Sequence, residues 1–349
     1  MPGHRHTFLH SSWRTGSTYL WDLFRRDGAA LCYYEPFHED LATLSPQRAR
    51  ARWPVPSEGH PVLERPYFYE YGPLAGVNGV RGYESRFAYA DFFGAASSRL
   101  LSQESYLRGL MDVAERSGRA AVFGFCRSTG RLAGLRTSFP DACHILLVRE
   151  AEDQWSSSAS MRALHANPYF LVMPVLVLCT AAPGTRAQAV RDLLGLPEIV
   201  PSGVERDYRK ALDVVEGSPS GRLYGWFCAY YLLSAVSSLP YADAVLSLSS
   251  LSRGRLRQWR TAGQLRRCSG FKVSFSSVAL PVHDGALGGD LLAAGREVGA
   301  ALVTLDGERP GAGGVEQAVY SRLARALQAT GRVALGDLRS ARRGAAPEP

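Results

Sequence analysis

Two short stretches near the start of the chain carry residue types suited to holding an anion and to moving a proton. The first is Ser11-Ser12-Trp13-Arg14-Thr15-Gly16-Ser17-Thr18. Its small residues let the backbone wrap an anion, a following helix would aim N–H groups at it, Ser17 and Thr18 add hydroxyls, and Arg14 adds charge. Only Gly16 is present and Gly-Lys-Ser/Thr is absent, so this is not a nucleoside-triphosphate P-loop signature. The second stretch is Tyr34-Glu35-Pro36-Phe37-His38, with Glu35 standing 21 residues after Arg14. A carboxylate beside an anion site is unfavourable unless it has a task. General-base catalysis on an acceptor hydroxyl is one such task, and burial against Tyr34 and Phe37 would raise its pKa toward that use. A glutamate so placed equally caps a turn or pairs with an arginine. His38 is the next candidate base, or a hydrogen-bonded loop residue.

Further along, Cys126-Arg127-Ser128-Thr129 reads as a helix cap carrying an arginine. Arg149 follows an apolar run, and Ser157 comes eight residues, about two helical turns, later. Three arginine-bearing segments and one glutamate suit a multiply charged nucleotide, with Arg127 and His38 as secondary contacts to substrate.

These residues require a scaffold. Apolar runs at 6–10, 31–34, 120–125 and 144–148 alternate with helical periodicity at 17–26, 103–117, 129–138 and 152–164, the pattern of βαβ units on a parallel sheet. The second half reads as mostly helical (185–194, 205–215, 223–238, 315–329), with one more strand at 243–248 and a flexible connector at 307–314. Ligands bind outside the carboxyl ends of such strands, where the candidate residues fall. Residues 41–100, rich in Pro, Gly, Tyr and Arg, lack periodicity and read as a substrate-side insertion. The expected organisation is a single α/β domain over 1–335 and a disordered tail over 336–349.

The 349 residues, 46% hydrophobic and 21% charged, can bury a full core, which excludes a disordered chain. Net charge is +8, and every basic residue except Lys210 and Lys272 is arginine. The arginines spread along the sequence, which argues against a nucleic-acid surface. Six scattered cysteines without a CxxC pair read as reduced core residues. With no leader and no apolar run long enough to span a bilayer, a cytoplasmic protein without a membrane partner is expected.

Residues 11–20 followed by Tyr34-Glu35-Pro36 resemble the 5′-phosphosulfate loop and Glu-Pro element of carbohydrate sulfotransferases, particularly the N-acetylglucosamine/galactose 6-O group. Residues 139–149, Phe-Pro-Asp-Ala-Cys-His-Ile-Leu-Leu-Val-Arg, with Ser157 eight positions on, resemble their 3′-phosphate element. The resemblance covers residues 6–165 and, more loosely, 243–248. It implies a P-loop-like three-layer sandwich with a central parallel sheet and a helical second half. It also implies the donor 3′-phosphoadenosine 5′-phosphosulfate (PAPS), the product 3′-phosphoadenosine 5′-phosphate (PAP), no metal, and a small-molecule or glycan acceptor. Carried over, Ser12 through Thr18 would hold the 5′-phosphosulfate, Arg149 and Ser157 the 3′-phosphate, and Glu35 would be the base. The family's Arg-Asp-Pro-Arg is here Arg149-Glu150-Ala151-Glu152, an acid replacing the second basic residue. Two other classes stay open from the sequence, a P-loop kinase or NTPase and a non-catalytic nucleotide-binding protein. The first needs a lysine that the loop lacks; the second has no use for Glu35.

Overall fold

The strand segments are nearly uninterrupted apolar runs, and a strand apolar on both sides must be covered on both faces. The computed structural model describes residues 4–51, 63–93, 100–251, 254–275, 287–307 and 314–343. Its strands are β1 Thr7–His10, β2 Ala30–Tyr34, β3 Ala75–Gly76, β4 Gly79–Val80, β5 Ala120–Phe125, β6 Cys143–Val148 and β7 Ala244–Ser247. β3 and β4 form a separate hairpin; the other five form one sheet in the order β2-β5-β1-β6-β7, with every pair parallel. Phe8, Tyr33, Phe123, Phe125 and Leu146 line one face, and Leu9, Cys32, Val122, Ile145 and Leu147 the other.

The Ser17–Asp27 helix buries Leu20, Trp21, Leu23 and Phe24 against the second face, beside the Arg255–Ser269 helix. Trp21 seats there because β5 carries Gly124, where a Cβ would meet the indole at 2.8 Å. The Leu100–Arg116 helix covers part of the first face through Tyr106, Leu107 and Leu110. The second half is helical as expected and centres on the Ser220–Val236 helix, apolar around its whole circumference and buried from Leu223 to Val236. An α/β chain with a central parallel sheet, helices on both faces and a helical second half is therefore observed.

Several expectations need correction. The tail expected to be disordered from 336 onward contains the Leu335–Arg343 helix, because Leu335, Leu338 and Ala341 form a buried stripe and Leu335 N–H donates to Glu150 Oε2 at 2.9 Å. Residues 344–349 lie outside the described residues, as does most of the connector expected at 307–314. The Arg255–Ser269 and Gly289–Gly307 helices were not anticipated. The described parts of the 41–100 insertion are not structureless: short turns and the hairpin are tied by an aromatic cluster of Phe68, Tyr71, Tyr83 and Phe87 on Tyr33, Phe37 and Tyr106. Nor are all six cysteines reduced. Cys143 and Cys268 are disulfide-bonded, with Cα atoms 5.8 Å apart; the other four are buried and free. The pairing joins the start of β6 to a helix 125 residues away, a connectivity that spacing cannot reveal.

β1 and β6 bury a histidine pair on the first face. His10 Nε2 lies 3.0 Å from His144 Nδ1, His10 Nδ1 lies 2.8 Å from Ser128 Oγ, and His144 Nε2 lies 3.1 Å from the Phe139 carbonyl. Burial pushes the His144 pKa down from 6.5 to about 4. A depressed histidine favours folding above its unfolded pKa, and that contribution is lost as pH falls from 6.5 toward 4. Going from pH 7.5 to 4.5 should therefore cost about 2 to 3 kcal/mol through His144, seen as a lower urea midpoint. Burial pushes His10 down as well, so His144→Gln should remove the His144 share of the acid-side slope and leave that of His10; superimposable profiles for the two proteins would refute the assignment.

Candidate functional site

The strand order reverses beside β1, whose chain leaves toward β2 on one flank while β6 lies on the other, so the crevice opens at the carboxyl end of β1. Residues 11–16 occupy that end. Arg14 (φ 63°) and Gly16 (φ 88°) both adopt left-handed conformations, which fold the loop back over the start of the Ser17–Asp27 helix. Only glycine fits at 16, because an added Cβ would also meet Leu248 Cδ1 at 2.3 Å. Thr15 Oγ1 donates to the Ser12 carbonyl at 2.8 Å, closing the turn. The helix has no side-chain cap and no acid in its first turn, so its first N–H groups keep their affinity for an anion. Ser17 Oγ sits 3.0 Å from Cys126 Sγ, and Thr18 Oγ1 3.1 Å from Tyr34 Oη. Either atom can be the donor in each pair, and both hydroxyls stand in the first turn of the helix, beside its unpaired N–H groups. Trp13 is a core residue instead, buried between Phe92 and Tyr230.

Arg14, Arg149 and Ser157 come together, as the sequence expects. Arg14 Nε donates to Ser157 Oγ at 2.9 Å, and Arg149 donates to the Arg14 carbonyl at 3.0 Å. The Arg14 guanidinium also lies over the Phe170 ring, 4.9 Å from its centroid. Burial, and then the charge of Arg149, push the Arg14 pKa down. Burial likewise lowers Arg149, opposed by Asp153 one helical turn on at 3.7 Å. Two like charges drawn together and partly desolvated at a strand end are an arrangement that an anion between them would relieve. Glu152, the acid in place of a basic residue, pairs instead with Arg332 at 2.6 Å.

Glu35 emerges from β2 next to this loop, with positive φ (44°) and its backbone N–H on the Gly124 carbonyl. Its side chain is buried, and Oε2 accepts from Arg127 at 2.6 Å. Arg127 is therefore not a free contact for substrate: it is fully buried and also donates to Glu39 Oε2 at 2.8 Å and to the Tyr169 hydroxyl. Tyr169 in turn donates to Glu39 Oε1 at 2.8 Å. Burial opposes the charge of Arg127, yet Glu39, Tyr169 and Glu35 outweigh it and raise the guanidinium pKa; at Glu39 burial pushes the pKa up, but Arg127, together with His38 and hydrogen bonds from its own backbone and Tyr169, brings it down to about 2. Glu35 Oε1 is buried without a hydrogen-bond partner. Cys126 feels the Glu35 charge second only to burial, which puts the carboxylate near the thiol that touches Ser17. His38 Nδ1 accepts from the Asp40 N–H at 3.2 Å, so it caps the following turn and fits its loop-residue reading.

Glu39, Cys126, Tyr169 and Phe170 are the site residues that sequence reasoning missed. Tyr169 opens an apolar helix, Tyr169–Cys179, and nothing in its local pattern marks a partner 42 residues upstream. No family model, no curated protein and no solved structure matches the chain.

Proposed function

We propose that the chain is a PAPS-dependent sulfotransferase that moves the sulfuryl group to a hydroxyl of a carbohydrate or other small molecule and releases PAP. The observation that carries this reading is the convergence of Arg14 and Arg149 on a loop with an uncapped helix start, beside a buried glutamate with one unbonded oxygen. The strand order, with the anion loop at the end of the central strand, supports the P-loop-like form of the sandwich. Sulfuryl transfer, like phosphoryl transfer, passes through a loose in-line transition state, so the protein's task is positioning and charge stabilisation. The loop N–H groups with Ser17 and Thr18 hold the phosphosulfate, and Arg14 neutralises the leaving oxygen. Arg149 and Ser157 hold the 3′-phosphate. Glu35, anchored by Arg127 through Oε2, takes the acceptor proton on Oε1.

The test is incubation of the full chain with PAPS and pooled hydroxylated acceptors, followed by mass spectrometry. A gain of one sulfate with PAP release is expected; ATP turnover requiring a divalent cation would instead establish a kinase or NTPase, and tight PAP binding without turnover a binding protein. The 3′-phosphate assignment makes its own prediction. Wild type should bind PAP at least tenfold more tightly than adenosine 5′-phosphate in calorimetry, and Arg149→Ala should erase most of that preference, because one charge-assisted hydrogen bond contributes about 1.5 to 3 kcal/mol. Equal binding of the two nucleotides by wild type would remove Arg149 and Ser157 from the site.

A further inference from the structure

The Arg255–Ser269 helix carries five exposed arginines, Arg255, Arg257, Arg260, Arg266 and Arg267, and no acidic residue. None of the five is in an ion pair among the described residues. Its inner face is fixed by Leu265 and Ser269, both fully buried. On the outer face Leu256, Trp259 and Gly263 form one stripe at helical spacing, flanked by Arg255 and Arg266 on one side and by Arg260 and Arg267 on the other. Trp259 is 75% exposed and Leu256 61%, and at Gly263 an added Cβ would meet Arg267 Nη1 at 3.6 Å, so this guanidinium lies along the same stripe. The helix end lies at the amino edge of the sheet, where Ser269 accepts from Arg5 N–H and Cys268 bonds Cys143. Its start therefore lies at the carboxyl edge, where Leu248, at the end of β7, contacts Gly16.

We infer that this face is a docking surface for an acidic polysaccharide running toward the anion loop. The two arginine rows supply forked donors for sulfate or carboxylate groups, and the bare indole between them supplies a platform for the apolar face of a sugar ring. Two apolar side chains are too few for a membrane anchor. The surface rests on charge and shape; the choice of a glycan over another polyanion rests on the transferase reading.

The experiment is binding of the full chain, without donor, to immobilised chondroitin sulfate at 0.15 M salt. Dextran, a single-stranded oligonucleotide and phosphatidylserine vesicles serve as alternatives. Trp259→Ala and the pair Arg260→Glu/Arg267→Glu, all at exposed positions, should each weaken glycan binding tenfold or more with unchanged circular dichroism, and dextran should not bind. Unchanged binding in either variant, or tighter retention of the oligonucleotide or the vesicles, would overturn the inference. Because no donor is present, this result is independent of turnover: loss of binding with intact transfer to a small acceptor leaves the enzyme reading in place, and the converse leaves the surface in place.

Discussion

Arg14→Ala is expected to lower sulfuryl transfer by two decades or more while leaving the circular dichroism spectrum and the urea midpoint close to wild type. The size follows from the position. Arg14 is the one cation inside the loop at the end of β1, and removing a preorganised donor from such a site typically costs about 3 to 4 kcal/mol of barrier. Its side chain reaches Ser157 while its carbonyl receives Arg149, so the same residue would link the two halves of the proposed anion site. The substitution should therefore weaken PAP binding as well as slow transfer. Arg14→Lys should recover only part of either, since an ammonium cannot reproduce the fork that reaches both Ser157 and a ligand oxygen. Little loss of fold is expected, because the guanidinium lies over Phe170 at the rim of the core and the left-handed backbone at 14 is no harder for alanine. Transfer within about tenfold of wild type would dismiss the loop as the reaction centre.

Much of this site was legible because it lies where local pattern is strongest. Strands buried on both faces leave continuous apolar runs, and the residues after them fall at a sheet edge whatever the long-range packing. Arg14 and Arg149 therefore fall at strand ends from sequence alone, and the resemblance adds Ser157 to Arg149; the pairing of β1 with β6 and the helix Ala151–His165 are what bring the three together. What stayed hidden depends on partners distant in sequence. Arg127 looked like a ligand contact because its neighbours in sequence are small and polar; its true neighbours, Glu35, Glu39 and Tyr169, come from two other segments. The helix Arg255–Ser269 was missed because its apolar inward positions are few and its arginines mask the period. The aromatic cluster that orders the insertion has no periodicity to detect, since loops and 3-10 helices of three or four residues, too short to show a repeat, present its rings.

Glu35→Gln is expected to separate a base from a strut. The variant keeps a group of the same size that can still accept from Arg127, but it cannot take a proton. PAP affinity should stay within about threefold of wild type, while transfer to any hydroxyl acceptor should fall about a hundredfold or more. Stability complicates the comparison, because removing one partner of a buried ion pair is typically destabilising by about 3 to 5 kcal/mol. Here the loss should be smaller, as Arg127 keeps Glu39 and Tyr169. Glu39→Gln supplies the control. It breaks the other arm of the same network, on a carboxylate that Arg127, His38 and its hydrogen bonds hold near pKa 2 against burial, without touching the oxygen assigned to the acceptor proton. A base at Glu35 predicts that both variants lose stability by urea unfolding, but that only Glu35→Gln loses most of its transfer and Glu39→Gln remains within about tenfold. Equal loss of transfer in the two would mean that the network acts by holding Arg127 and the β2 turn in place, and the proton acceptor would then have to be sought elsewhere, beginning with His38.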